Sequence, residues 1–312
     1  MGKHFKLPFR KLILFIGASL ISAVLSVSLA FIIQVTIDSA GQRDGVKFKR
    51  IVLISLIFIV LYAVFCYLKT YYMQKLSNTV TEDLRNRLFE KISSQTYVDY
   101  RKRPVSDYLS VLTNDIHTYQ DGALRSKLLI IQNSFPMVAA IIALLLTDIK
   151  ITLLVILSTI IIFFVPAMIR KKINLAQEET TKEISDLTNY CESHLEGFYE
   201  VYTYGKQEYV QADFQKRNTI YHKIRMKLEQ LIAESETISA SLSVATELII
   251  LFVSGNLVFT NVITVGAMVA IMQLTGAFVQ PLMIIMQNIP RLSGGKALEQ
   301  RFATILDKPT IA

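Results

Sequence analysis

The chain has 312 residues, 52% of them hydrophobic, and 33 Lys and Arg against 25 Asp and Glu give it a net charge of +8. A mean hydropathy of +0.41 excludes a soluble domain and marks an integral membrane protein. The two cysteines, Cys66 in an apolar segment and Cys191 in a charged one, exclude a disulfide framework. The first apolar segment, 12–34, is too long for a removable signal peptide and lacks a small-residue cleavage site, so it reads as a span. The second, 51–72, opens a stretch without Gly or Pro that runs from 46 to 103. Residues 51–68 carry no charge and are long enough to cross a bilayer when slightly extended. Lys69, Lys75, Glu82, Asp83, Arg85, Arg87, Glu90 and Lys91 then follow with no helix breaker between them. A helix over 51–97 is about 70 Å long, more than twice the hydrocarbon thickness of ~30 Å. It must cross the bilayer and project into water.

Segments three and four, 128–147 and 150–169, are separated only by Thr147, Asp148, Ile149 and Lys150, so they form a tight hairpin. Residues 206–254 then repeat the long construction in reverse, charged as far as Glu236 and apolar over 238–260. A sixth apolar segment occupies 265–289. The pattern predicts an all-α membrane protein of six transmembrane helices, with helices two to five extended on one face.

Charge orients the bundle. Of the 33 Lys and Arg, 28 fall on the face of the long connections and termini, leaving Arg43, Lys47, Lys49, Arg50 and Lys150 on the other. The excess of positive charge on cytoplasmic loops places both termini and both long connections in the cytoplasm. The net charge is then topogenic, beside anionic headgroups, and needs no nucleic-acid partner.

Polar residues within the spans are the candidates for a substrate path. Glu247 lies near the middle of span five, where a charge is costly unless it faces a cavity or a partner, and Ser243 and Ser254 share its helical face. Gln273, Gln280 and Gln287 recur every seven residues in span six, drifting only about 20° per step. Ser22 and Ser26, with Ser19, form a stripe on span one. These residues line a cavity or act as interhelical hydrogen-bonding glue, and the pattern leaves both open. Gly276 and Pro281 mark a bend in span six.

A series of short patterns resembles the transmembrane domain of ABC exporters, the type IV ABC transporters that include bacterial lipid flippases and multidrug half-transporters. The series runs through Val35-Thr36-Ile37-Asp38 and Tyr108-Leu109-Ser110-Val111-Leu112-Thr113-Asn114-Asp115. It continues in Glu192, Gly197, Glu200, Val201, Tyr204, Gly205, Gln207 and Glu208, then Thr264-Val265-Gly266-Ala267-Met268-Val269-Ala270 and Gln280-Pro281-Leu282. Arg301-Phe302, Ile305-Leu306-Asp307 and Pro309 complete it. Ser106-Asp107 departs from the glycine-acid pair common there. The resemblance covers the whole chain and implies a domain over 1–306, with 307–312 starting a linker to an absent nucleotide-binding domain.

The resemblance further implies two short coupling helices that dock on ATPase domains, here about 101–107 and 199–206. Arg101, Lys102, Arg103, Ser106 and Asp107 would serve the first, and Glu200, Tyr202, Tyr204 and Gly205 the second. It implies a homo- or heterodimer of half-transporters in a bacterial plasma membrane, moving an amphipathic or hydrophobic substrate outward by alternating access. ATP and Mg would be bound by the nucleotide-binding domain, fused or separate, and this chain would carry no cofactor and no catalytic or metal residue. Truncation of a fused half-transporter is expected rather than a stand-alone permease. An importer of the same fold, as in siderophore uptake, and a peptide exporter remain open; a non-transporting sensor would leave the coupling stretches without purpose. Leu292-Ser293-Gly294-Gly295-Lys296 resembles the ATPase signature LSGGQ. No G-x-x-x-x-G-K-[ST] precedes it, so it reads as a polar helix exit.

Overall fold

The computed structural model describes residues 8–307, without the side chains of 162–167, 170, 293 and 294. The expected linker, 307–312, therefore lies outside the described residues except for Asp307. Every described element is helical, as hydrocarbon requires of a chain that must satisfy its own backbone hydrogen bonds. Helix α1 spans Phe9–Gly41 and α2 spans Gly45–Ser93. Asp44 caps α2 by accepting from the Lys47 amide at 3.0 Å, and its 49 residues extend about 73 Å. A short α3, Tyr97–Tyr100, and α4, Val105–Ser110, follow. From α4 the chain stays helical to Thr147 through π turns at Val111–Asp115 and Gln120–Leu124, with α5, Ile116–Tyr119, between them and α6, Arg125–Thr147, after them. Asp148 accepts from the amides of Lys150 and Ile151 and so opens α7, Ile149–Glu196. Then come α8, Phe198–Thr203, α9, Gln207–Phe259, and α10, Val265–Leu306.

Among the described residues, five helices are long and apolar enough to cross a membrane: α1, α2, the run through α6, α9 and α10. The sixth expected span begins as the apolar stretch Ile149–Ile161 of α7, which continues unbroken to Glu196. Helix α2 ends at Ser93, four residues before the expected end of the rod. The reason is local: the Thr96 hydroxyl caps a new helix at the Asp99 amide and donates to the Asp99 carboxylate, a capping exchange that competes with continuation of α2.

The helices divide into two units, residues 1–152 with 251–312, and residues 153–250. In the first, α1 packs on α2 and α10, and α10 on α6. Its main hydrophobic cluster centres on the charged part of α2, while the spans of α1, α6 and α10 bury further residues such as Ala23, Ala140, Leu144, Ile271 and Leu274. On α2 the buried residues are Met73, Leu76, Ser77, Val80, Thr81, Leu84, Leu88 and Ile92, all beyond the uncharged stretch 51–68, whose most apolar window has no buried residue. They meet Phe15, Ile116, Tyr119, Leu124 and Phe302, with the Tyr119 and Phe302 rings edge to face at 5.7 Å. Where α2 is charged, it buries an i, i+4 stripe of Leu76, Val80, Leu84 and Leu88, each side chain worth about 1.5–3 kcal/mol. Its uncharged stretch leaves large side chains such as Leu53, Ile57 and Val60 outward.

In the second unit the turn through α8 closes a helical hairpin. The Tyr190 hydroxyl donates to the Val210 carbonyl at 3.1 Å, and the Arg217 guanidinium lies 4.6 Å from the Tyr190 ring centroid while pairing with Asp213 at 3.0 Å.

Two close approaches fix α10 in the first unit. At its start, Thr264 caps the helix by accepting from the Ala267 amide, and its own hydroxyl donates to Asp38 of α1 at 2.8 Å. The other Asp38 oxygen accepts from the Gly266 amide at 3.0 Å. A carboxylate thus sits at the positive end of the α10 dipole. A Cβ at position 266 would stand 2.4 Å from the Gln34 carbonyl oxygen, so a side chain there would force α1 and α10 apart. Near its other end, a Cβ at position 295 would stand 2.1 Å from the Ala123 Cβ. Gly295, half of the glycine pair in the signature-like sequence, is there for helix contact with the second π turn.

Asp38→Ala is expected to lower stability by about 1–2 kcal/mol, the value of a lost charged cap, read as a fall in the thermal unfolding midpoint in detergent, with Asp38→Asn recovering part of it. Gly295→Ala should cost about 1–3 kcal/mol through overpacking, and adding Ala123→Gly should restore the midpoint.

Candidate functional site

The first stretch expected to couple, 101–107, belongs to the first unit and is built on a capped turn. Thr96 starts α3, Pro104 occupies the N-cap of α4, and 101–103 form the bend between them. Proline cannot continue the preceding helix, so the reversal is written into position 104. Tyr108 anchors the bend from beneath. It is buried, its ring stacks on Tyr100 at 5.2 Å, and its hydroxyl lies within reach of the Gln95 side-chain oxygen and the Tyr100 carbonyl.

Of the five residues expected to face a partner here, Arg101, Lys102 and Ser106 are exposed. Arg101 donates to the Tyr97 hydroxyl at 2.9 Å and Lys102 pairs with Asp99 at 2.6 Å. Arg103 and Asp107 are half-buried and turn inward, pairing with each other at 3.5 Å. Asp107 also pairs with Arg301 of α10, whose second nitrogen is 2.7 Å from Asp115. The expected stretch, 101–107, lies between two short helices and runs into the start of α4; α3, ahead of it, presents Tyr97 and Val98 outward at 70% exposure each. Thr96-x-x-Asp99, a helix-start signature, is the signal in the sequence that would have found them.

The second stretch expected to couple, 199–206, belongs to the second unit. Helix α8, Phe198–Thr203, falls within one residue of the expected start. It is entered through Gly197 and left through Tyr204 and Gly205, the latter at φ +64° in the left-handed region that ends helices. Glu200, Tyr202, Tyr204 and Gly205 are all exposed, and Phe198 and Tyr199 join them. Three tyrosines and a phenylalanine displayed on one turn, Phe198 stacked on Tyr202 at 6.3 Å, form the kind of apolar surface that marks a docking site. Beneath it, burial and the Asp213 carboxylate raise the Tyr190 hydroxyl above its ordinary pKa, and Arg217 holds Asp213 below its own. Both groups keep their charge state at neutral pH.

The substrate-path candidates separate by unit. In the first, Gln273, Gln280 and Gln287 are all exposed on α10, while Leu274, Thr275 and Phe278 between them are buried. The seven-residue spacing therefore yields one uncovered polar stripe, about 21 Å long. Ser22 and Ser26 take another place. Ser22 is buried with its hydroxyl 3.7 Å from the Cys66 sulfur, and Ser26 donates to the Ala23 carbonyl. Both serve the contact of α1 with α2 and the helix backbone. Gln132 of α6 carries a buried side-chain oxygen with no hydrogen-bond partner among the described residues. In the second unit, Glu247 is exposed and Ser243 half-buried on α9. Ser293 and Gly294 of the signature-like sequence lie outside the described side chains. Among the described residues, no group of His, Cys, Asp and Glu is arranged to hold a metal ion.

The chain is 23% identical over 240 residues to an ATP-dependent lipid A-core flippase of Haemophilus ducreyi, covering 73% of this chain and 41% of that protein. It is 21% identical over 308 residues to the uncharacterized ABC transporter ATP-binding protein YknV of Bacillus subtilis, covering 96% and 50%. A second lipid A-core flippase, from Thiobacillus denitrificans, is 21% identical over 269 residues, covering 86% and 46%. The chain thus spans half or less of the length of these relatives. The sequence pattern of the ABC transporter transmembrane region matches residues 12–282, and with multiple helices long and apolar enough to cross a membrane the chain belongs to that family of multi-pass membrane transport proteins.

Proposed function

We propose that this chain is the permease half of an ATP-driven exporter, moving an amphipathic or hydrophobic substrate from the cytoplasm or inner leaflet outward by alternating access. The observation that carries the reading is the exposed aromatic turn of α8, with Glu200, Tyr202 and Tyr204, held at the tip of charged helices whose other ends are membrane spans. A charged rod that ends in an apolar tip has a use when another protein covers the tip. The occupant is a nucleotide-binding domain, fused or separate, which would hold ATP and Mg; no residue of this chain is assigned to either. Relatives named as ATP-binding proteins and as ATP-dependent lipid A-core flippases support both the motor and a lipid-like cargo.

A second half-transporter, the same chain or a homologue, would complete the path. The glutamine stripe of α10 is polar at membrane depth and uncovered within its own unit, so water or a polar substrate head must face it. Charge places both termini and the rods on the cytoplasmic side. Glu247 adds a preference. A carboxylate in mid-membrane costs about 2.5–3.5 kcal/mol on insertion scales, and lipid offers it neither counter-ion nor donor. A cationic head group on the substrate would supply one.

Three measurements test this reading. Hydrolysis by the transporter assembled with its ATPase domain should be stimulated by a phospholipid, a peptide mixture or a cationic dye; stimulation by none of them would remove the export reading. A Tyr204→Ala, Glu200→Ala double variant should insert normally and retain basal hydrolysis, with stimulation reduced about tenfold, within the usual range of coupling energies. In inside-out vesicles, Glu247→Gln should reduce ATP-driven uptake of the cationic dye while uptake of a neutral fluorescent lipid persists. Equal uptake of both by the variant would assign Glu247 to packing.

A further inference from the structure

We propose that Arg301 is a positioning residue that makes the first coupling stretch and the end of α10 move as one body. The inference rests on the reading of 97–107 as the face toward an ATPase partner, and goes beyond it to the way a push on that face reaches the membrane.

The geometry is a two-armed clamp. One guanidinium nitrogen of Arg301 pairs with Asp107 on α4, and another stands 2.7 Å from Asp115, which closes the first π turn. Arg301 and Asp107 are 194 residues apart in sequence. Asp115 is only 5% exposed, and a buried carboxylate requires a counter-charge held in place. The planar fork of arginine can hold two carboxylates at once, where lysine would hold one. Arg103, 3.5 Å from Asp107, balances the cluster at two cations and two anions. The extra residue of a π turn is frequently kept for a functional reason; here the turn ends on the buried carboxylate that forms an ion pair with Arg301.

Two further contacts fasten the same place. Phe302, fully buried, packs on Tyr119, and Glu299 pairs with Lys127 at 2.6 Å and accepts from Tyr119. The outward residues of the stretch, Tyr97, Val98, Arg101 and Lys102, therefore stand on a base that cannot hinge without breaking the clamp. A displacement there is carried to α10. That helix contains Pro281 and Pro290, which are the positions where it can bend, and it bears the glutamine stripe.

The test uses the transporter assembled with its ATPase domain, Cys66 and Cys191 replaced by alanine, and Met286→Cys as a reporter on α10. The readout is the change in maleimide labelling between the nucleotide-free and the ATP–vanadate-trapped protein. Arg301→Gln is expected to shrink that change about tenfold, and the charge-exchanged pair Arg301→Asp, Asp115→Arg to recover most of it. If Arg301→Gln does not fold, the neutral pair Arg301→Gln, Asp115→Asn replaces it with the same expectation. An undiminished change in whichever of these folds, or a charge-exchanged pair no better than Arg301→Gln, would overturn the proposal. A parent protein with no nucleotide-dependent change would overturn the reading on which it rests, and the proposal with it.

Discussion

A helix that crosses hydrocarbon and continues into water must change what it buries partway along its length. In lipid, an apolar side chain gains nothing by turning inward, because the tails outside are as apolar as the leucines inside. In water the hydrophobic effect returns. Helix α2 shows the change on one element: its uncharged stretch is uncovered, and its charged continuation buries Leu76, Leu84 and Leu88 completely. The main hydrophobic cluster of the first unit is accordingly centred on the less apolar part of α2. That cluster gives the stretch at 101–107 a firm base, and specific polar contacts fasten α10 in addition to its packing on α1 and α6.

Those contacts fall at the two ends of α10. Asp38 holds its first turn through Thr264 and the Gly266 amide, and Arg301 holds its last turns through Asp107 and Asp115. Each places a charge where a counter-charge or a helix dipole meets it, and each lies beside a contact too close for a larger residue, Gly266 on α1 and Gly295 on the second π turn. Between the ends, α10 carries two prolines and the glutamine stripe. Between polar anchors at its two ends, α10 thus keeps its bend-prone prolines and its exposed glutamines on one stretch.

The residues around the coupling stretches divide by what they touch. Those on α8 are outward and available to a partner, and the hairpin base that presents them is held by Tyr190, Asp213 and Arg217. Those on the first stretch are mixed. Arg101 and Lys102 face out, while Arg103 and Asp107 are bound into the clamp, so four neighbouring charges serve two different purposes.

Much of the architecture was legible in the chain because its causes are local. Absence of Gly and Pro over 46–103, the uncharged lengths of the spans, Pro104 at one reversal and Gly197 with Gly205 at the other are properties of neighbouring residues, and helices respond to neighbours. The seven-residue glutamine spacing likewise fixed a stripe, since helical pitch alone sets which positions share a face. What the sequence could not rank was the direction in which each stripe points. Ser22 and Ser26 follow the same periodicity as a lining surface, yet they lie in the α1–α2 contact or on the helix's own backbone, because pitch says nothing of which face a neighbouring helix covers. Asp38 and Gly266, like Asp115 and Arg301, were visible as separate short patterns; only the folded chain brings them together across some two hundred residues. Tertiary structure decided these pairings because a charge is satisfied by whatever lies within 3 Å of it, and that distance is set by packing and not by position along the chain.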